Sequence, residues 1–446
     1  MNYQDLAIQL VDRAKRAGAD EADVFLSVGR DFEVTIRNGS IEVLKQAVSK
    51  GVGIRVFTDH RMGFSHTTDF SPETLEHLVN ETVGMAKYAT HDEFHGLPES
   101  YAAVTNGGLD LYDSTLDSVT TEKKIAMAKE MEQAALSFDR RVKMVEGASF
   151  SDGEDQVFIA NSKGFVGSYK ATGSALVCSV VAEEGGMKQV NYWYSNKRHL
   201  SDHEPAETIG RRAAQRAVQM LGAKKVPSGR FPTIFDPLIA SSFLSSIAGA
   251  LNGESVFRKT SFLTDKLGEK IGSESVTIVD DGVMKRGLGS RLFDGEGVPT
   301  ARKIIVEKGV LKSYLYDTYT SRKAKTKTTA NAVRGYSSTP HISPMNFYIE
   351  RGSHTPEGIV KSVADGFYVT GMIGFGVDMV TGQFSRGASG LWIKNGELAF
   401  PVHEVTVAGN MLDMLRNVEM VGSDLEFRGS IACPTINIAE MSVSGN

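Results

Sequence analysis

Ten histidines and two cysteines are the side chains of this sequence best suited to hold a transition metal, so their spacing is the first thing to settle. Hydrolytic zinc chemistry needs two imidazoles on one helix face, a neighbouring glutamate as general base and a third ligand. His203-Glu204 and His403-Glu404 begin like such a motif, but neither has a second histidine three to five positions on. His203 stands beside Pro205 at a helix start, and His403 lies in the alternating stretch FPVHEVTVAGN, so both read as surface or turn histidines. His91 and His95 are four apart, but HDEFHGLP runs into Gly and Pro, which makes them loop histidines. Cys178 reads as a core thiol in mid-strand, and Cys433, just before Pro434, has nothing nearby to complete a site. Two thiols exclude a disulfide framework and any cysteine-only zinc or iron–sulfur centre.

Carboxylates offer a second chemistry. Asp280 and Asp281 in VDDG, Asp294 and Glu296 in FDGEG, and Asp378 further on could bind a hard cation or serve as acid and base. Asp-Gly is also ordinary hairpin chemistry. The stretch SRKAKTKTTANAVRG (321–335) carries Arg322, Lys323, Lys325, Lys327 and Arg334 with no acid among them. It reads either as a solvated loop or as a mobile arm that meets an acidic partner or a peptide carboxylate. No G-x-S-x-G elbow and no phosphate-binding G-x-x-x-x-G-K-[ST] loop occurs. Gly51-Val52-Gly53 and Gly374-Phe375-Gly376 lack the third glycine of a dinucleotide site and read as turn or strand glycines.

These groups must be carried by elements, and the hydrophobic pattern names them. Leu6, Ala7, Leu10, Val11 and Ala14 lie at helical spacing, and Gly18 ends that helix. Alternating stretches follow at 22–29, 32–46 and 51–59, with Asn38-Gly39 as a two-residue hairpin turn. Ser71-Pro72 opens a second helix with Leu75, Leu78 and Val79 inward. The pattern then returns: a helix from Thr121, strand-like runs at 141–150, 155–169 and 174–195, and a helix capped by Ser201 or Asp202 that reaches Leu221. A helix–meander–helix unit thus occurs at 1–90 and again at 118–222, with a loop between, giving a duplicated α+β domain over 1–223. From 224 to 446 one helix, DPLIASSFLSSIAGALNG, precedes many short strands with glycine corners and a further short helix at 355–366, which predicts a β-rich, barrel-like domain. The fold class is therefore α+β.

Composition narrows the function. The 446 residues are 41% hydrophobic, enough to bury a large core, and the net charge of −5 argues against non-specific nucleic-acid binding. Asp5 and Asp12 interrupt the first apolar stretch, which makes it an amphipathic helix rather than a secretory signal. No run approaches the roughly 18 apolar residues of a membrane span. A soluble cytoplasmic protein is expected, with neither nucleic acid nor membrane as a direct partner.

Longer segments carry a resemblance. NGSIEVLKQAVSKGVGIRVF (38–57), ALNGESVFRKTSFLTDKLGEKI (250–271), VDDG with GSRLFDGEGVPTARK (279–303), GFGVDMVTGQFSRGASGLWIKNGEL (374–398) and PVHEVTVAGNMLDMLRNVEMVGSDLEFRGSIACPTINIAEMSVSG (401–445) resemble the TldD/PmbA family, on its PmbA (TldE) side, over nearly the whole chain. The resemblance implies an α+β N-terminal domain, a barrel-like C-terminal domain and a cytoplasmic two-subunit metallopeptidase that processes peptides or unfolded segments. Members have also been described as modulators of DNA gyrase. In that family the TldD-type subunit carries H-E-x-x-x-H on the first helix of the C-terminal domain and a cysteine near the C-terminus. Matching the LNGE segment (251–254) places Leu244, Ser245, Ser246, Ile247, Ala248 and Gly249 at the motif, with Leu244, Ser245 and Gly249 at the first ligand, base and second ligand positions.

None of the three can bind zinc or take a proton from water. The resemblance therefore implies no catalytic residue, no metal and no cofactor on this chain, and zinc on a TldD-type partner in a heterodimer; a homodimer is the alternative assembly. Asp280, Asp281, Asp294, Glu296, Arg334 and Asp378 are the expected polar residues of a substrate cavity. The competing expectation is a stand-alone regulatory or binding protein without peptidase activity, acting for example on a toxin–antitoxin or gyrase-related partner.

Overall fold

Asn38 and Gly39 both have positive φ, 52° and 74°, the backbone that a two-residue hairpin turn requires. They join β1 (Glu21–Arg37) to β2 (Ser40–Thr58), which pair antiparallel along their whole length, from Glu21↔Phe57 to Arg37↔Ser40. The computed structural model describes residues 2–101, 108–374 and 376–445. Phe375, between the two glycines of its motif, and part of the loop expected between the repeats lie outside the described residues.

The first unit is α1 (Tyr3–Arg16), β1, β2, β3 (Arg61–Thr67) and α2 (Pro72–Tyr88). Strand β3 escaped the sequence reading because its turn is Asp59-His60, two non-glycine residues at φ 49° and 55°. The second unit repeats the order: α3 (Thr121–Leu136), β4 (Val142–Asn161), β5 (Val166–Glu184), β6 (Met187–Lys197) and α4 (Ala206–Gln219). Gly185 and Gly186, at φ 60° and 82°, divide the run 174–195 between β5 and β6. Helix α4 starts at Ala206 and not at 201–202: Leu200–Asp202 forms a lone 3₁₀ turn, and Pro205 follows in extended backbone as the N-cap.

The six strands make one sheet in the order β3-β2-β1-β4-β5-β6, so the two units join along their first strands. Leu6, Leu10, Val24, Leu26, Ile54, Val56, Leu78 and Val79 form the core of one half. Phe32, Val34, Met131, Phe150, Leu176, Val180 and Ile209 form the core of the other. Alternation along each strand sends these side chains to the helix-covered face and leaves the opposite face for other partners.

The rest of the chain runs β7 (Gly229–Phe235), α5 (Pro237–Ala250), α6 (Gly253–Phe257), β8 (Ile278–Asp281), β9 (Arg302–Glu307), β10 (Val310–Leu311), α7 (Thr318–Lys323), β11 (Ala332–Val333), β12 (His341–Ile342) and β13 (Asn346–Ile349). It continues with α8 (Pro356–Lys361), β14 (Asp365–Ile373), β15 (Gln383–Lys394), β16 (Glu397–Asn410), α9 (Met411–Arg416), β17 (Val418–Val421), β18 (Ile431–Ala432) and β19 (Ile436–Ser444). The order β16-β15-β14-β7-β19, with β16 pairing back onto β19, closes a five-stranded barrel. A second sheet, β10-β9-β8-β13-β18, packs beside it. Helix α5 is capped by Asp236, whose Oδ1 accepts from Ile239 N at 2.9 Å, and Pro237 sits in its first turn. Its Phe243, Leu244 and Ile247 join Phe235, Phe367, Phe384, Val407 and Ile438 in one core, so the helix is built into the barrel. No helix among the described residues is long and apolar enough to cross a membrane.

Candidate functional site

Two charged residues interrupt the apolar runs of β1 and β2, and they sit directly opposite each other: Asp23 pairs with Arg55 in the register. Both point away from the helices. Arg55 donates from Nη2 to Asp23 Oδ2 at 2.7 Å and from Nη1 and Nη2 to Glu296 Oε1, each at 3.1 Å. Arg334 reaches the same aspartate, donating from Nη1 to Oδ1 at 3.1 Å, and donates from Nε to the Gly295 carbonyl at 2.7 Å. The second oxygen of Glu296 accepts from Thr318 N at 2.9 Å, at the start of α7. All four charged side chains are buried. Burial works to raise the Asp23 carboxyl, but Arg334 and Arg55 outweigh it and hold it below the ordinary carboxylate range. Burial lowers the Arg55 guanidinium, and Asp23 and Glu296 more than restore it. The network locks the N-terminal sheet to the C-terminal domain.

The structure thus brings Glu296 and Arg334 together, and adds Asp23 and Arg55, which the motif search missed. The available signal was a lone charge inside each of two apolar strand runs. Asp294 lies beside this network, its oxygens accepting from Glu296 N (2.9 Å), Val298 N (3.0 Å) and Ala332 N (3.2 Å). Burial and the neighbouring Glu296 push its carboxyl up to about 7 against those donors. Asp280 belongs to a separate buried group. It meets Lys303 Nζ at 2.8 Å and accepts from Asn331 Nδ2 at 2.8 Å and from Met345 N at 2.6 Å. Asp281 accepts from Val283 N at 2.9 Å and closes the turn after β8. Asp378 is apart from all of these. Backbone N–H groups of Thr381 and Val380 hold its carboxyl below the usual range, and it opens onto a groove of about 670 Å³ with Gln383, Ser385 and Ser442.

The basic stretch 321–335 is tied in at both ends. Arg322 donates to the carbonyls of Phe94 and Leu97 at 3.0 and 2.7 Å, and Arg334 is in the buried network. His203 is likewise not a surface residue: its ring bridges Ser174 Oγ and Ser195 Oγ, both at 2.8 Å.

Residues 244–249, which the resemblance matched to the zinc motif, lie on α5. Ser245, Ala248 and Gly249 line a cavity of about 210 Å³, closed by Asn252, Leu315, Ile342, Ser343, Pro344, Ser430 and Ile431. Leu244 is fully buried in the barrel core instead. Five residues along an α-helix turn the side chain by about 140°, so 244 and 249 face different surroundings. The polar atoms of this cavity are hydroxyls, an amide and backbone. Zinc takes thiolate, imidazole or carboxylate ligands, and none of the lining residues supplies one. Cys433 is buried, with its backbone N donating to Ser241 Oγ at 3.0 Å, and burial pushes its thiol up. Among the described residues no three His, Cys, Asp or Glu side chains are grouped so as to hold a metal ion. The donor set at α5 does not fit a catalytic zinc.

The sequence matches PmbA/TldA metallopeptidase domain 1 over residues 22–86, the central domain over 114–221 and the C-terminal domain over 228–445. The chain belongs to the PmbA/TldD family of metallopeptidases. It is 34% identical to the metalloprotease PmbA of Escherichia coli O157:H7, over 96% of this chain and 93% of that protein. A crystal structure from Bacteroides thetaiotaomicron VPI-5482, of a protein named a candidate modulator of DNA gyrase, superposes with a TM-score of 0.92 at 32% identity, covering 99% of each chain. TldE from Thermococcus kodakarensis shares the fold, with a TM-score of 0.87 over 98% of this chain and 99% of that one, at 23% identity.

Proposed function

We propose that this chain is the PmbA-type subunit of a two-subunit metallopeptidase, one that binds peptide or unfolded segments and leaves cleavage to a zinc-bearing TldD-type partner. The observation that carries this reading is the lining of the α5 cavity, where Ser245 and Gly249 stand and no zinc ligand or general base does. Family membership supports peptide-bond chemistry for the assembly, and the cavity chemistry supports a binding role for this subunit. The Asp378 groove beside the barrel offers a polar wall for an extended substrate, whose backbone would pair with a strand edge. The five buried candidates, Asp280, Asp281, Asp294, Glu296 and Arg334, act in this reading by holding the barrel and sheet in place. The same reading puts the protein in the cytoplasm, where two free, buried thiols are at home.

The test is to incubate the purified chain with Zn²⁺ and a peptide library, alone and with a TldD-type protein. Cleavage only in the mixture is expected; cleavage by the lone chain defeats the proposal. The name borne by the Bacteroides relative favours a second reading, a stand-alone or homodimeric regulator without peptidase activity. A pull-down separates the two, since recovery of a zinc-binding family member supports the first and its consistent absence the second.

A further inference from the structure

Arg386 is a half-buried arginine with no acid to balance it. It lies on β15 between Phe384 and Ala388, which share its face and pack into the barrel core, so its side chain points inward toward α5. Its Nη1 donates to Ser242 Oγ at 3.0 Å, and its buried Nε has no hydrogen-bond partner. Among the described residues no carboxylate lies within ion-pairing distance. Arg55 and Arg334 share Asp23, Arg216 meets Asp236 at 3.0 Å, and Arg198, which also lacks an acid, donates instead to the carbonyls of Thr172, Gly287 and Leu288. Burial alone pulls the Arg386 guanidinium down, with no acid to offset it. A buried guanidinium N–H with no acceptor costs stability unless something else completes it.

The surroundings are shaped around that side chain. A Cβ on Gly376 would stand 2.8 Å from Arg386 Cγ and overlap the Ser385 carbonyl oxygen, so only glycine lets the chain lie against the arginine stem there. On α5, Ser242 and Ser246 lie one turn apart, with Ser246 Oγ bonded only at 3.5 Å to the Ser242 carbonyl. Gly249, where an added Cβ would stand 3.3 Å from Met379 Cε, continues the same stripe to the α5 cavity. From Ser242 to Gly249 is seven residues, about 10 Å of helix, which is the length of roughly three residues of extended peptide.

We propose that Arg386, with the hydroxyls of Ser242 and Ser246, is a carboxylate-binding subsite that anchors the C-terminal carboxylate of a peptide whose preceding residues run along α5 toward the Ser245–Gly249 cavity. This rests on the peptide-binding reading above and adds a specificity to it. The planar fork of arginine donates to both carboxylate oxygens, and a serine hydroxyl can donate to one of them.

Fluorescence anisotropy with N-terminally labelled hexapeptides of Gly, Ala and Leu tests this on the intact chain. Three forms are compared: the free acid, the C-terminal amide, and the amide with one internal glutamate. The free acid is expected to bind about tenfold tighter than the amide. Arg386→Gln should remove that preference, and Arg386→Lys and Ser242→Ala should each reduce it in part. Binding of the glutamate-containing amide as tightly as the free acid would overturn the terminal assignment and move the carboxylate to a side chain. Equal binding of acid and amide, or a preference that survives Arg386→Gln, overturns the subsite and leaves the peptide-binding reading standing. Failure of all three peptides to bind removes both.

Discussion

Arg55 and Glu296 stand 241 positions apart in sequence, yet the guanidinium of one donates twice to a single carboxylate oxygen of the other. The contact joins a strand of the N-terminal sheet to the long loop between β8 and β9, and Asp23 and Arg334 complete it from either side. A buried network of this kind contributes little net energy when intact but leaves uncompensated charge when cut. Glu296→Ala should therefore cost roughly 3–5 kcal/mol. Urea unfolding measures it, and a loss below about 1 kcal/mol would mean that water already reaches the network.

The docking of the two domains also depends on glycine. A Cβ on Gly53 would overlap the carbonyl oxygen of Tyr336, and one on Gly51 would overlap its ring. Gly53→Ala should separate the seam and cost on the order of 2 kcal/mol or more through forced overlap. Faster limited proteolysis of the 321–340 region together with a lower melting temperature is the expected pattern. Unchanged cleavage in a variant as stable as the parent would contradict it.

His203 predicts a pH dependence. Burial lowers its pKa from an ordinary 6.5 to about 4. The unfolded chain therefore binds the proton first as pH falls. The contribution to stability is complete above about pH 6.5 and is lost as pH drops toward 4, reaching roughly 3 kcal/mol at most. His203→Gln should flatten the stability curve between those limits. A variant whose curve keeps the wild-type slope there would assign the effect elsewhere.

The phase of α5 makes a contrast between neighbours. Leu244 is enclosed in the barrel core and Ser245 borders the cavity. Leu244→His removes core contacts and buries an imidazole, for a loss of about 3 kcal/mol or more. Ser245→His should remain folded with little change. Thermal melts of the two variants decide it, and equal losses would reverse the assignment of faces.

Several features were legible before any coordinates. The stripe Leu6, Ala7, Leu10, Val11 and Ala14 is the buried face of α1, and Asn38-Gly39 turns the first hairpin, because both depend on local backbone geometry. Asp236 caps α5 for the same reason. Strand β3 and the start of α4 were not legible. One depends on a left-handed Asp-His turn, which only its neighbours stabilise, and the other on a 3₁₀ turn ahead of Pro205. His203 looked like a turn residue and proved to be a clamp, since Ser174 and Ser195 come from two strands that sequence spacing does not bring near it.

The candidate site divides along the same line. Residue identity alone determined that helix positions 244–249 carry no imidazole or carboxylate, since side-chain chemistry is independent of fold. Identity alone also marked Glu296 and Arg334 as polar residues worth placing. Only the tertiary structure decided that these two meet Asp23 and Arg55 in a dry seam, that Asp378 stands alone at a groove, and that Arg386 faces Ser242 without an acid. Such pairings depend on which faces of the sheet, barrel and helix are pressed together, and long-range packing sets that, not the spacing of residues along the chain.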